Sequence, residues 1–589
     1  MNRIALLAAA ACAACVPMAA NAQSTETHAY YLNQTNSRVA PPQLSEADRQ
    51  YYRQVFRAIR KEDWSGVENL LNSRPDGLLH PVARAEYYLA PTSPRIELPT
   101  LQAWLATGRD LPQAEKIGRL AITRGATDMP DLPYARNFSG RSGPPKRIRP
   151  RSVRDGTMPD SVSSAIDDRI KNDDPDGARM LLDGVDATLS SESRAEWRQK
   201  VAWSYFIENR DADALAMAQT VSAGSGPWVA EGEWVVGLAA WRLGDCALAQ
   251  DGFGRAAFSA QNPELRSAAY YWASRSALRC RKPELAAEFL RGAAADDQTL
   301  YGMLAAEQLG RALPDRVESA AFDSRAWERL GGRQNVRVAL ALAEIGEDNL
   351  ASEVLLHEAR IGNVQHYDSI SRLARDLGFP QTQLYMAYNA PDGQYADPAV
   401  FYPVAKWQPV TGWRVDPALA YAHTLQESNF RSSAVSPAQA QGLMQITPIT
   451  VRQHAPSLNM STASVDIFDP AVNLAFGQRN LEMLRDSPAI RGHLPKIMAA
   501  YNAGLTPITR WNSEVNDQND PLLYMEAIPY WETRGYVAIV MRNYWMYERQ
   551  AQAQSSSRRA LAENQWPLFP GTDGPRQGGV DASVMGGRR

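Results

Sequence analysis

The chain has 589 residues, 44% hydrophobic and 22% charged. That is about four times the ~150-residue scale of one domain, so several packing units are expected, and neither wholesale disorder nor a small disulfide-stapled scaffold fits. The 62 Lys and Arg nearly cancel the 65 Asp and Glu, which leaves no broad basic field for a nucleic-acid backbone, and no nucleic-acid role is expected.

Arg3 precedes an apolar run from Ile4 to Val16, followed by Pro17 and the small-residue site Ala20-Asn21-Ala22. This is the layout of a secretory signal peptide over residues 1–22, cleaved after Ala22. No later stretch approaches the ~20 apolar residues that a membrane-spanning helix needs, so no integral membrane segment is expected after its removal. Cys246 and Cys280 are the cysteines left. In an oxidising compartment they either pair or stay as small buried thiols.

From about residue 45 to 390 the pattern is one of short amphipathic helices, rich in Ala and Leu, joined by brief polar turns. A turn-then-helix element recurs at Asp174 to Ala178, Asp211 to Ala214, Asp245 to Ala249, Lys282 to Ala286 and Glu347 to Ala351. Its alanines are 36, 35, 37 and 65 positions apart, close to the ~34-residue step of tetratricopeptide-like helix pairs and to twice that step. Small residues let paired helices approach closely, and stacked pairs bury a core that one pair alone lacks, so an α-superhelix is predicted. Lys61 to Trp64 and Gly108 to Leu111 read as degenerate copies of the turn. The proline-interleaved basic run from Arg141 to Arg154 reads as a solvated loop between helix pairs. Pro391, Pro398, Pro403, Pro409 and Gly412 mark a domain boundary, and beyond about residue 550 the apolar periodicity fades into an expected disordered tail.

Asp416-Pro417 is an N-cap followed by Pro at the first helical position, with Ala418, Tyr421, Ala422 and Leu425 on one face behind it. Glu427 falls off that stripe near the helix C-terminus, where the backbone dipole disfavours an ionised carboxylate. Desolvation in a cleft raises a carboxyl pKa towards the range in which it donates a proton at neutral pH. Downstream follow Gly442-Leu-Met-Gln445, Asp469-Pro-Ala-Val-Asn473 with Gly477, Ala500-Tyr-Asn-Ala-Gly504, Glu526-Ala-Ile-Pro529 and Glu532-Thr-Arg534.

The order and spacing of these motifs resemble the catalytic domain of the soluble lytic murein transglycosylases, and the upstream solenoid is similar to that family's ring-forming domain. The resemblance implies an all-α protein with a tetratricopeptide-like α-superhelix over residues 23–325, a helical linker domain over 326–404, a lysozyme-like domain over 405–550 and a tail over 551–589. It implies a periplasmic enzyme whose partners are peptidoglycan glycan strands and, through the superhelix, cell-wall proteins. Glu427 is the expected catalytic residue. The expected substrate-binding set is Ser428, Gly442, Met444, Gln445, Tyr501, Asn502 and Glu526, with Tyr501 contacting the catalytic carboxyl group or the adjacent sugar, Asn502 shaping the cleft floor and Glu526 holding substrate on the far side. Neither metal nor organic cofactor is implied. Where relatives commonly have Met before the proline of the Gln-Ile-Met-Pro run, this chain has Thr447.

Independently of the resemblance, Gly442 permits a conformation or approach that a Cβ would block, and Gln445 offers donor and acceptor to sugar hydroxyls or acetamido groups. Asn473 and Gly477 read as structural, in close helix packing. Nine Tyr or Trp occur between Tyr501 and Tyr547, a density that suits sugar stacking. Of these, Tyr536, Tyr544 and Tyr547 fall with Val540 at helical spacing and read as core, and His423 reads as packing or surface. Ordinary glycosidases use two carboxylates, whereas Asp466 and Asp469 read as helix caps and Glu427 stands alone. The chemistry implied by the resemblance is cleavage of the bond between N-acetylmuramic acid and N-acetylglucosamine, with Glu427 as acid and then base and the substrate acetamido oxygen in place of a nucleophile. The rival readings are a hydrolytic muramidase and a non-catalytic glycan-binding scaffold.

Overall fold

The structure is a computed structural model that describes residues 26–34, 39–311, 313, 322–392 and 398–570. The expected signal peptide lies outside the described residues, and so does residue 571 onward. Among the described residues the fold is all-α, apart from a two-residue antiparallel ladder that pairs Ser139 with Ala390 and Gly140 with Asn389. No described helix is long and apolar enough to cross a membrane.

The described residues divide into two compact units that do not follow sequence order, one holding those within 26–30, 144–313 and 408–570, the other those within 31–143 and 322–407. In the second unit, helix Glu46–Arg60 buries Val55 and Phe56 in a core shared with helices Gln334–Ile345 and Asp348–Ile361. Asp63 caps helix Trp64–Asn72 by accepting from the Gly66 N–H, as its place in a degenerate repeat turn leads one to expect.

In the first unit, four helix pairs follow one another: Asp160–Lys171 with Pro175–Asp183, Ser191–Ile207 with Asp211–Gln219, Trp228–Leu243 with Cys246–Ser259, and Pro263–Arg279 with Pro283–Ala294. The recurring turn opens the second helix of each pair. Asp174 and Asp245 cap their helices by accepting from the Gly177 and Leu248 N–H groups. The repeat alanines Ala178, Ala214, Ala249, Ala286 and Ala351 are all buried, because each marks the place where paired helices come closest. Cys246 and Cys280 form a disulfide, with Cα atoms 5.5 Å apart, which ties the start of one helix to the end of the next.

Two expectations are corrected. The basic run is a loop, as expected, with Lys146, Arg149, Arg151 and Arg154 exposed, but it does not lie free: between residues 145 and 153 its backbone is fastened to neighbouring helices. Arg542 donates to the Pro145 carbonyl, Asn262 to the Lys146 carbonyl at 2.8 Å and the Trp228 indole to the Arg151 carbonyl at 3.1 Å. The Val153 N–H donates to Glu196 at 2.6 Å. Prolines keep this stretch out of a helix, so its backbone groups find partners on neighbouring elements instead. The tail is also structured as far as residue 570. Helix Ser556–Ala562 buries Leu561, the Leu494 N–H donates to the Pro567 carbonyl at 2.8 Å, and Trp566 stacks on His493 with ring centroids 4.6 Å apart. A few large side chains hold this segment without the periodic pattern that a longer helix shows.

Candidate active site

Helix Pro417–Ser428 starts as its sequence dictates: Asp416 accepts from the Ala418 N–H at 2.9 Å and takes a second hydrogen bond from the Tyr544 hydroxyl at 2.9 Å. Pro417 through Leu425 are all buried. The helix is therefore not amphipathic in use but enclosed on every side, and an apolar stripe was only part of its buried surface. It ends at Asn429, in the left-handed conformation at φ 51°, which leaves Glu427 in the last turn.

There Glu427 is half-buried, and its Oε1 accepts from the Tyr536 hydroxyl at 2.6 Å. Burial pushes its pKa up to about 7; the Tyr536 hydrogen bond opposes the rise and the charge of Glu532 adds to it. The same Tyr536 hydroxyl lies 2.8 Å from His423 Nδ1. Burial drives the His423 pKa down to about 3, so the imidazole is neutral and either donates or accepts at Nδ1 according to its tautomer. His423 and Glu427 are four residues apart on one helix and so share a face, and both meet Tyr536 from helix Trp531–Gln550. Glu427, Tyr536 and His423 thus form a hydrogen-bonded chain that runs from the half-exposed carboxyl group into the core.

The turn from Ala434 to Ile446 closes over this helix. Gly442 sits at φ +75°, and a Cβ there would meet Asn473 Nδ2 at 2.2 Å. Asn473 is buried and donates to the Gln441 and Ile467 carbonyls at 2.9 and 2.8 Å while accepting from the Met444 N–H at 2.8 Å. Gly477 admits the Met444 side chain, since a Cβ there would lie 2.1 Å from its Sδ. The structural reading of Asn473 and Gly477 holds.

Of the expected substrate-binding residues, two are placed otherwise. Ser428 is buried and donates its hydroxyl to the Leu443 carbonyl at 2.7 Å, so it latches the turn to the helix. The Met444 side chain is fully buried against Gly477; its carbonyl accepts from the Tyr501 hydroxyl at 2.8 Å. Each belongs to the floor beneath the site because its polar or apolar group is consumed by packing. Tyr501 packs on His423, with ring centroids 4.6 Å apart. Burial pushes its phenol pKa well up, and the Glu427 carboxylate adds to the rise. Gln445 is half-buried, at φ 51°, with its amide nitrogen 2.9 Å from the Gly442 carbonyl. Asn502 accepts from the Thr533 hydroxyl at 2.6 Å, and Glu526, 9% exposed, accepts from the Tyr301 hydroxyl at 2.7 Å. Thr447 caps helix Pro448–His454 through the Thr450 N–H at 3.2 Å. Asp469 caps helix Pro470–Asp486 by accepting from the Ala471 and Val472 N–H groups, whereas Asp466, expected as a helix cap, instead holds the preceding turn by accepting from the Phe468 N–H.

Residues 408–523 match the family described as the Transglycosylase SLT domain. A candidate soluble lytic murein transglycosylase of Haemophilus influenzae is 27% identical over 269 residues, which are 43% of this chain and 42% of the relative. The soluble lytic murein transglycosylase of Escherichia coli K12 is 30% identical over 133 residues, 22% of this chain and 20% of that one. The chain thus spans less than half the length of the curated relatives it matches. The crystal structure of the 70 kDa soluble lytic transglycosylase from Escherichia coli superposes with a TM-score of 0.52 at 15% identity, over 89% of this chain and 99% of that one, which shows the fold in common.

The SLT match ends before Glu526 and before the helix that supplies Tyr536. Sequence reasoning missed both Tyr536 and His423 as members of the site. Tyr536 falls in register with Val540, Tyr544 and Tyr547, all buried, so periodicity alone assigns it to the core; it is a core residue whose hydroxyl emerges at the carboxyl group. The signal that does exist is the spacing of His423 and Glu427, one helical turn apart. Among the other aromatics, Trp511 and Tyr524 are core, whereas Tyr530 is exposed and Trp531 half-exposed beside the SLT domain.

Proposed function

We propose that the protein is a peptidoglycan lytic transglycosylase, exported to the periplasm by its N-terminal signal, in which Glu427 is the single acid and base. One observation carries the reading: within an SLT domain, a half-buried carboxyl group at a helix C-terminus has its pKa pushed up to about 7 and is steered by the Tyr536 hydroxyl. Such a group holds its proton near neutrality and can also give it up, which a residue that acts first as acid and then as base requires.

In the proposed reaction, neutral Glu427 gives its proton to the glycosidic oxygen between N-acetylmuramic acid and N-acetylglucosamine as the bond to the anomeric carbon breaks. The substrate acetamido oxygen shares the positive charge that develops. Ionised Glu427, now accepting the Tyr536 hydrogen bond at full strength, takes the proton of the muramoyl 6-hydroxyl, whose oxygen closes on the anomeric carbon. The product is the 1,6-anhydro sugar, with no water consumed. The 6-hydroxyl and the anomeric carbon belong to one sugar, so the closure is intramolecular, and enclosure serves to keep a competing water away. Gln445, Tyr501 and Asn502 frame the sugar beside Glu427, and Glu526 contributes further along the cleft.

A hydrolytic outcome has one observation in its favour: Glu532 is an exposed second carboxylate whose charge reaches Glu427, and such a group could orient a water. Mass spectrometry of fragments released from purified sacculi separates the two. Lytic cleavage leaves anhydro ends that borohydride does not reduce; reducible muramic acid ends would overturn the proposal in favour of a hydrolase. Glu427→Gln is expected to abolish solubilisation while retaining glycan binding, and unchanged activity in that variant would remove Glu427 from the mechanism.

A further inference from the structure

Two tyrosines of helix Trp531–Gln550 reach across to helix Pro417–Ser428, one at each end. Tyr536 donates to Glu427 at 2.6 Å, and Tyr544 donates to Asp416 at 2.9 Å. Glu427 lies in the last turn and Asp416 caps the opposite end, so the helices run antiparallel and are pinned to each other at points about 16 Å apart along the first of them. Between the pins lie fully buried apolar residues, Ala418, Leu419 and Ala422 on one helix and Val537, Val540 and Met541 on the other. Apolar contact is non-directional and admits small sliding, whereas a hydrogen bond weakens with small displacements. The Ser428 latch ties the catalytic helix to the turn over residues 434–446 and not to helix Trp531–Gln550, so it leaves their mutual register open.

Asp416 does more than cap. It is 0% exposed, and a buried carboxylate needs several donors. The Ala418 N–H supplies one and the Tyr544 hydroxyl a second. A third is the hydroxyl of Thr27. Thr27 is itself fully buried and comes from residues 26–30, which are helical and belong to the same compact unit as the catalytic helix. On its other side Tyr544 is hydrogen-bonded to Glu548, which also takes a bond from Ser555 and feels the charge of Arg558. A phenol has one hydrogen to give. Because Tyr544 gives it to Asp416, the bond with Glu548 runs the other way, from a protonated carboxyl group to the phenol oxygen. Burial favours that state: it pushes Glu548 up to about 8, while Asp416, with its three donors, rises only to about 6. A directed chain results, from Glu548 through Tyr544 to Asp416, with Thr27 closing its far side. It is the counterpart, at the other end of the helix pair, of the chain formed by Glu427, Tyr536 and His423.

We propose that Thr27, Asp416 and Tyr544 are positioning residues for Glu427: they fix the register of the catalytic helix against helix Trp531–Gln550 and so hold the Glu427 carboxyl group at the Tyr536 hydroxyl. A helix of about three turns is stiff along its axis, so a displacement at Asp416 is carried to Glu427. All three residues are buried and act through the helix, not on substrate. Thr27 does so from far outside the matched SLT stretch. The consequence for turnover rests on the acid and base reading of Glu427, whereas the register contact does not.

The test is a titration of the Glu427 carboxyl group without substrate, by carbon-13 NMR of the full chain labelled at its glutamate side chains, with the Glu427 resonance identified by its loss in Glu427→Gln. Thr27→Val keeps the side-chain shape and removes the hydroxyl, and Tyr544→Phe does the same for the phenol. Each is expected to raise the Glu427 midpoint by at least about 0.5 unit, a part of the shift that follows loss of the Tyr536 hydroxyl itself. Thr27→Ser, which keeps the hydroxyl, should titrate like the parent. In a Tyr536→Phe background Thr27→Val should add nothing, because the bond it governs is already gone. A midpoint that stays in place or falls in Thr27→Val, or that rises equally in both backgrounds, would overturn the proposal. Thr27→Val decides the matter even if Tyr544→Phe, which strands two buried acids, does not fold. Turnover on soluble, uncrosslinked glycan strands then tests the link to function. Thr27→Val is expected to lower kcat by about threefold or more with KM unchanged, and the alkaline limb of the pH–rate profile should follow the shifted midpoint. A limb that ignores a shifted Glu427 would remove this residue as acid and base while leaving the register contact intact.

Discussion

The strain placed on Glu427 is measurable without substrate. Its pKa stands at about 7 against an ordinary 4.5, chiefly through burial, so the folded protein holds this proton more tightly than the unfolded chain does. A carboxyl group raised in this way contributes stability that is fully present below about pH 4.5 and lost as pH rises through about 7. The interval of about 2.5 units, at 1.36 kcal/mol per unit, corresponds to about 3 kcal/mol. Glu427→Gln keeps the size and the acceptor for Tyr536 but cannot ionise. Relative to the parent, the variant should therefore gain up to about 3 kcal/mol between pH 4.5 and 8. Urea unfolding of both proteins across this range, followed by tryptophan fluorescence, provides the comparison. Asp416, Glu264 and Glu548 also have pKa values raised by burial, to about 6, 7 and 8, but they are common to both proteins and cancel in the difference. A difference that stays flat with pH, or a variant that becomes the less stable protein at pH 8, would refute the claim that the fold destabilises the ionised form of Glu427.

Tyr536→Phe removes the hydrogen bond that favours ionised Glu427; at about 1.5–3 kcal/mol for a bond to a charged group, the alkaline limb of the pH–rate profile on sacculi should move up by about 1–2 units as the peak rate falls, and a limb that stays in place would contradict the assignment. His423→Leu, which strips the Tyr536 oxygen of its second partner, should lower kcat several-fold with little change in KM, with partial rescue by His423→Asn; an effect confined to thermal stability would reduce His423 to packing. Gly442→Ala faces both a left-handed backbone and the Asn473 amide, and should cost about 1–3 kcal/mol. Gly477→Ala has no left-handed backbone to strain and meets only the Met444 side chain, at 2.1 Å from Sδ and 3.0 Å from its Cβ, so it should cost less, an order that thermal shifts would check. Replacing Cys246 and Cys280 with Ser opens a loop of 34 positions and should lose about 3–4 kcal/mol in the chain-entropy account; a melting curve indifferent to the replacement and to reductant would refute it.

What could be read from the residues was local or periodic. Asp416-Pro417, Asp174, Asp245 and Thr447 announce helix starts because capping joins a side chain to backbone two or three positions away. The alanine spacing announces stacked pairs because every repeat meets the same steric demand, and Gly442 and Gly477 mark close approaches that no other residue allows. Glu427 stood out because it left the apolar stripe at the end of a helix. Tertiary structure alone decided which distant groups meet. It brought Tyr536 across to Glu427 from 109 positions away, consumed Ser428 and Met444 in the floor of the site, pinned residues 145–153 along the helix pairs and packed residues 551–570 against the body. None of these placements has a period or a neighbouring partner in the chain to betray it. A hydrogen bond or a buried face depends on where two segments arrive in space, and the same Tyr, Ser or Arg reads identically in sequence whether its polar end faces water, backbone or a reacting carboxyl group.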